Sequence, residues 1–134
     1  MKINTPLTVP KKYKKIYEKN FLEATHKTGK LFLFAGDQKI EHLNEDFSAK
    51  LNMGNNDPEH LFKIAEKSEI GVFAAHLGLI SRYGKKYNKI PYLVKLNGKT
   101  NLVKTQDPLS LALWTVDDVI DFKKQSGLKI LGVG

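Results

Sequence analysis

Apolar residues recur along this chain with two different spacings, and the changes from one to the other mark out its elements. In PKKYKKIYEKNFLEATHKTG, Tyr13, Ile16, Tyr17, Phe21 and Ala24 fall at steps of three and four, while Lys11, Lys12, Lys14, Lys15 and Lys19 fall mostly elsewhere. That spacing predicts an amphipathic helix beginning after Pro10 and stopping near Gly29. LFLFAG, residues 31–36, is a short unbroken apolar run, which suits a strand buried on both faces. DPEHLFKIAEKS then predicts a short helix, with Asp57 as N-cap, Pro58 at the first helical position and Leu61, Ile64 and Ala65 on one side. IGVFAAHLGLI starts as a second buried strand and passes near His76 and Gly78 into LISRYGKKY.

The third strand is IPYLVKLNG, residues 90–98, with Pro91 at its edge. TVDDVIDFKKQSG predicts a helix capped by Thr115, with Val116, Val119, Ile120 and Phe122 as its apolar side and Gly127 as its stop. LKILGVG closes the chain as a fourth strand. Strands alternating with helices argue for βαβ units and a parallel sheet, the mark of an α/β fold. KTNLVKTQDPLSLALW, residues 99–114, fits this order least well and reads as a small excursion after the third strand. No internal repeat or low-complexity tract interrupts the pattern. The chain stops at Gly134 inside an apolar strand, which leaves two expectations: a small four-stranded sheet that ends there, or the front half of something larger.

Composition narrows the functional classes. The chain has 134 residues, 41% of them apolar, enough for one ordinary domain with a core. No segment approaches the run of about 18 apolar residues that spans a bilayer, and MKINTPLTVPKKYKKIYEKN has no apolar h-region, so a cytoplasmic protein without membrane partners is expected. Zero cysteines exclude disulfides and thiolate metal sites. The net charge of +8 rests on 21 lysines and the single Arg82, spread over nearly the whole chain. Scattered lysine is an ordinary solvated surface; with no RNP-type aromatic motif, Gly-x-x-Gly clamp or helix-turn-helix, a nucleic-acid partner is disfavoured. The basic first helix has a modest, tyrosine-rich apolar face, better suited to packing on a domain than to lying on a membrane.

Candidate chemistry concentrates where the first strand ends. LFLFAG runs directly into Asp37, Gln38, Lys39, Glu41 and His42, and in α/β proteins ligands bind at the carboxyl ends of strands. Asp37 is either a catalytic carboxylate or a loop cap, and its position favours chemistry. Glu41 and His42 pair with each other, set the protonation of Asp37, or make a structural hydrogen bond. Lys95 interrupts the apolar PYLVKLNG, where an unpaired ammonium is costly; it meets a substrate phosphate or hydroxyl or balances Asp37 across the fold, a site role favoured over a merely structural ion pair. Burial lowers a lysine pKa, so an imine-forming role for Lys95 is open in principle. Asn97 and Lys99 continue the same strand end. His26, His60 and His76 show no metal-ligand spacing, so no metal is assigned.

Four segments in order, AGDQKIEH, DPEHLFKIAEKS, KIPYLVKLNGKTNL and VDDVIDFKKQSGLKILGVG, resemble the archaeal-type class I fructose-bisphosphate aldolases, which are Schiff-base aldolases similar to deoxyribose-phosphate aldolase. The resemblance runs from about residue 31 to residue 134. It implies a (β/α)8 TIM barrel of roughly twice this length, of which residues 30–134 are the N-terminal half, about four β/α units truncated at the fourth strand, and residues 1–29 a preceding amphipathic helical segment. It also implies a sugar-phosphate substrate, a role in glycolysis and gluconeogenesis, homo-oligomeric assembly at full length and no cofactor, because a lysine imine is itself the electron sink. Asp37 matches the family's first-strand aspartate, which orients groups and takes protons; Gln38, Lys39, Glu41, His42, Lys95 and Asn97 are the substrate-binding candidates. The proton-donating tyrosine and the imine-forming lysine of the family fall past Gly134. One departure bears on the substrate: Lys39 stands where relatives commonly have a glycine, whose missing side chain lets backbone and substrate approach closely. A non-catalytic half-barrel, or a subunit that needs a partner chain, is the second expectation.

Overall fold

The computed structural model of the protein describes residues 2–37, 41, 50, 52–99 and 110–134. Its elements are α1 (Lys14–Ala24, entered through a 3-10 turn at Lys11–Tyr13), β1 (Leu33–Ala35), α2 (Glu59–Lys67), β2 (Val72–His76), α3 (Leu77–Tyr83), β3 (Tyr92–Lys95), β4 (Asn97–Gly98), β5 (Leu111–Ala112), α4 (Val116–Ser126) and β6 (Ile130–Val133). The order is the expected alternation. β1, β2, β3 and β6 form one parallel sheet in that order, with Leu33 opposite Val72, Phe73 opposite Tyr92 and His76 opposite Lys95.

Side chains point to alternate faces of a strand, and here the two faces have different fates. On the outer face, Phe73 of β2 lies edge-on to Phe62 of α2, with ring centroids 5.0 Å apart, and beside Phe34 and Tyr92. Phe62, Phe73, Ile80, Tyr92 and Val94 have essentially no exposed surface and form the centre of the core. Burying side chains of this size stabilises by about 1.5–3 kcal/mol each, which is what seats α2 and α3 on the sheet. On the inner face, Val72, Leu93 and Leu131 line a cleft with Tyr17, Phe21 and Ala24 of α1, and the Asn20 side chain donates to the Leu131 carbonyl at 3.0 Å. The first helix therefore packs against the sheet, as its pattern implies.

Several boundaries differ from the expectation. α1 ends at Ala24 rather than near Gly29, because Thr25 closes it and His26 and Lys27 take positive φ values of 47° and 61°. Tyr13 and Ile16 stay exposed, and the packed side is Tyr17, Phe21 and Ala24. α2 starts at Glu59, although Asp57 still caps it by accepting from the Glu59 N–H at 2.9 Å. Its buried residues are Phe62 and Ala65, whereas Ile64 is exposed.

The third strand ends at Lys95 instead of Gly98: Asn97–Gly98 leaves the sheet and pairs antiparallel with Leu111–Ala112. This is the small excursion expected after the third strand, and residues 100–109 of it lie outside the described residues. α4 has the full capping box, Thr115 with Asp118, and ends at Gly127 in the left-handed region at φ 68°. Of its four expected apolar contacts only Val119 is buried and Phe122 partly so; Val116 and Ile120 are exposed. Among the described residues no helix is long and apolar enough to cross a membrane.

Candidate active site at the strand ends

Register and side-chain alternation put Leu33, Ala35 and Asp37 on the same inner face as Val72, Ala74 and His76, and as Leu93 and Lys95. Toward the carboxyl end this face changes from apolar to ionisable. Gly36 sets the exit from β1. Its N–H donates to the Ala74 carbonyl at 2.8 Å, and a Cβ there would lie 2.3 Å from the Phe73 ring. Only glycine lets the chain pass so close to that ring, and the next residue, Asp37, comes out at the strand end with 7% of its surface exposed.

Glu41 follows one helical turn later, its N–H donating to the Asp37 carbonyl at 3.3 Å, and is 3% exposed. Residues four apart in a turn share a side, so both carboxylates face β3. Lys95, the last residue of that strand, answers them: its Nζ donates to Asp37 Oδ2 at 2.7 Å and to Glu41 Oε2 at 3.1 Å. His76, the register partner of Lys95, brings its Nε2 to 3.6 Å from Glu41 Oε1. Four ionisable side chains from the carboxyl edges of three neighbouring strands thus meet at one point. Among the described residues, no group of three or more His, Cys, Asp and Glu side chains is arranged to hold a metal ion.

The neighbours of Lys95 favour its charged form. Its hydrogen bond to Asp37 raises its pKa above the ordinary lysine value; burial pulls the other way, and the bond to Glu41 adds to the rise. The shift favours the ammonium, the form without a lone pair for attack on a carbonyl. Its two carboxylate partners thus act against the lowering that burial alone would give. Lys95 is paired with Asp37 and with Glu41.

Glu41 is bonded to Lys95 and faces His76. Asn97 does not join this cluster in the structure; its side chain donates to Ser110 Oγ at 2.6 Å within the β4–β5 pair. Gln38, Lys39 and His42 lie outside the described residues. The residue that sequence reasoning missed is His76. It was weighed only as a metal ligand, yet the signal was there: VFAAH ends on a polar residue just as LFLFAGD and YLVK do, and the three endings sit side by side at the same edge of the sheet.

A parallel sheet flanked by helices, with converging ionisable groups at its carboxyl edge, is the architecture of an α/β enzyme whose strand ends carry the chemistry. Residues 31–134 match the DeoC/LacD family aldolase, and the chain belongs to that family. It is 59% identical over 133 residues to a fructose-bisphosphate aldolase/6-deoxy-5-ketofructose 1-phosphate synthase of Methanocaldococcus jannaschii, covering 98% of this chain and 43% of that protein. It is 30% identical over 100 residues to a class 1 fructose-bisphosphate aldolase of Thermoproteus tenax, covering 75% of this chain and 36% of that protein.

Among solved structures, a fructose-bisphosphate aldolase from Slackia heliotrinireducens superposes with a TM-score of 0.90 at 43% identity, covering 98% of this chain and 42% of that one. An archaeal fructose-1,6-bisphosphate aldolase whose catalytic Lys is covalently bound to the carbinolamine intermediate of its substrate superposes with a TM-score of 0.64 at 29% identity, covering 79% of this chain and 40% of that one. The chain therefore spans less than half the length of these relatives, and its sheet is the half-barrel that this coverage implies.

Proposed function

We propose that Asp37, Lys95 and Glu41 form the strand-end part of the active site of a class I, Schiff-base aldolase acting on sugar phosphates, with fructose 1,6-bisphosphate as the first substrate to test. The observation that carries this reading is the ammonium of Lys95 held between Asp37 and Glu41 at the carboxyl edge of a parallel sheet. The names of the relatives support the choice of reaction. In such a cleavage a protonated imine accepts the electron pair of the neighbouring carbon–carbon bond as it breaks, giving an enamine and an aldehyde, while a base takes the proton from the hydroxyl of the departing fragment.

Asp37 suits the orienting and proton-accepting part, since Lys95 occupies one of its oxygens and fixes the plane of its carboxylate. Lys95 and Glu41 hold it there. The imine belongs on a different lysine, because the partners of Lys95 favour its ammonium form. With this reading go a cytoplasmic location, a place in glycolysis and gluconeogenesis, and a homo-oligomeric whole protein.

The test is cleavage of fructose 1,6-bisphosphate by the natural protein with EDTA present, together with borohydride trapping of the substrate. EDTA-resistant turnover and a covalent adduct on a lysine are expected. Turnover abolished by EDTA, or no turnover and no adduct with any ketose phosphate, rejects the reading.

A further inference from the structure

We infer that His76 is a specificity residue of this site, which binds a hydroxyl group of the substrate rather than a phosphate; the inference rests on the lyase reading above. The imidazole is held at the rigid end of β2, beside Lys95 in register, with its side chain 12% exposed. Both of its ring nitrogens are buried, and neither has a hydrogen-bond partner among the described residues. Glu41 Oε1 lies 3.6 Å from Nε2, beyond hydrogen-bond range. A buried ring with an unused donor and an unused acceptor is unfavourable unless something polar meets it. At the carboxyl edge of a strand that something is a ligand.

The neighbours decide what kind of group fits. Among the described residues, the charged groups facing this corner are Asp37 and Glu41 from the segment after β1, and Lys95 from β3. The ammonium of Lys95 already donates to both carboxylates. A phosphate placed here meets two carboxylates whose neighbouring cation among the described residues, Lys95, already donates to both, so charge repulsion disfavours it. A hydroxyl carries no charge and both donates and accepts, which is the complement of a neutral imidazole. The substrate is thus a polyhydroxylated carbonyl compound with one hydroxyl against His76, and its phosphate groups lie away from this corner.

The test compares binding of fructose 1,6-bisphosphate with that of its 3-deoxy, 4-deoxy and 5-deoxy analogues by calorimetry, using the natural protein and its His76→Ala and His76→Asn variants. A site built to pair a hydroxyl rejects the analogue that lacks it, so the natural protein should bind one of the three deoxy sugars about 10-fold or more weakly. In His76→Ala that ratio should fall to about 2-fold or less, and His76→Asn should recover part of it. A change in folding alone would weaken all four sugars together and leave the ratio intact.

An unchanged ratio in His76→Ala, or no discrimination among the sugars by the natural protein, overturns the inference. The lyase reading is scored separately, by cleavage and borohydride trapping in the natural protein. Loss of hydroxyl discrimination without cleavage would sink the reaction and keep the hydroxyl contact.

Discussion

His76 and Lys95 are register partners at the carboxyl ends of β2 and β3, and they approach different oxygens of one carboxylate: Glu41 Oε1 lies 3.6 Å from His76 Nε2, and Glu41 Oε2 lies 3.1 Å from Lys95 Nζ. Glu41 therefore reports to two strands at once, while the second bond of Lys95, to Asp37, brings in the end of the first strand. Side chains thus bond the ends of β1 and β3, with the end of β2 brought alongside by His76. Perturbing any member shifts the others, and this coupling shapes what each substitution should do.

Asp37→Asn keeps the size of the side chain and an acceptor for Lys95 but removes the proton-accepting carboxylate. General acid–base groups contribute about 100- to 10,000-fold in rate, so turnover of fructose 1,6-bisphosphate by the natural protein should fall by a factor in that range. Borohydride trapping should persist, since forming the imine needs only the lysine and the carbonyl. Turnover within about 3-fold of the natural protein would lie far below that range and would return Asp37 to a loop-capping role.

Lys95→Met leaves Asp37 and Glu41, both nearly buried, without the ammonium between them. Removing one partner of a buried ion pair costs about 3–5 kcal/mol; because the Lys95 side chain is 21% exposed, a loss of roughly 2–3 kcal/mol is expected here, tempered by solvent screening. Urea unfolding of the natural protein and the variant measures it. A loss below about 0.5 kcal/mol would match a surface pair and mean that the carboxylates do not depend on Lys95.

The pH dependence of that loss follows from the direction of the lysine shift. Lys95 is raised above 10.5, first by Asp37, so it binds its proton more tightly when folded than when unfolded. Its contribution is fully present below 10.5 and fades as pH rises through the higher folded value. The stability gap between the natural protein and Lys95→Met should therefore hold steady from neutral pH to 10.5 and shrink above it. A gap that closes between neutral pH and 9 would show a lysine that deprotonates easily, and would reopen it as a nucleophile.

The N-terminus of α4 offers an independent test of local chemistry. Thr115→Ala removes the hydroxyl that accepts from the Asp118 N–H at 3.1 Å and bonds its carboxylate at 2.6 Å, which should cost about 1 kcal/mol at neutral pH. The Thr115 hydroxyl first, and the Thr115 N–H, lower the Asp118 pKa below 3.8, so the hydroxyl's bond to the charged carboxylate stabilises above 3.8 and is lost as pH falls through the folded value. Urea titrations should show the gap between the two proteins narrowing in acid, with the part due to the Asp118 N–H bond remaining. A constant difference across that range would mean the cap works without the Asp118 charge.

Much of this was legible because it is local. Asp37 stood out because the strand before it is unbroken and the residue after Gly36 must leave the sheet; Thr115 and Gly127 marked a helix because capping and left-handed stops depend on a few adjacent residues. Lys95 stood out as a charge in an apolar strand. Asp37 could be named as one partner for it to balance, but the second bond, to Glu41, was not legible, since it joins residues more than fifty positions apart. Phe62 was passed over for Ile64 because both fit a short helical pattern, and only the position of Phe73 decides which side meets the sheet. Nothing in the linear order places His76 beside Lys95.

The sequence by itself determined the alternation of elements, their caps, the parallel sheet and the family, because periodicity, turn chemistry and ordered motifs are properties of neighbouring residues. The tertiary structure alone decided that β1, β2 and β3 align with their carboxyl ends level, and so that Asp37, Glu41, His76 and Lys95 meet. The physical reason is strand register: hydrogen bonding fixes it between segments remote in sequence, and a shift of one residue would turn His76 or Lys95 to the opposite face.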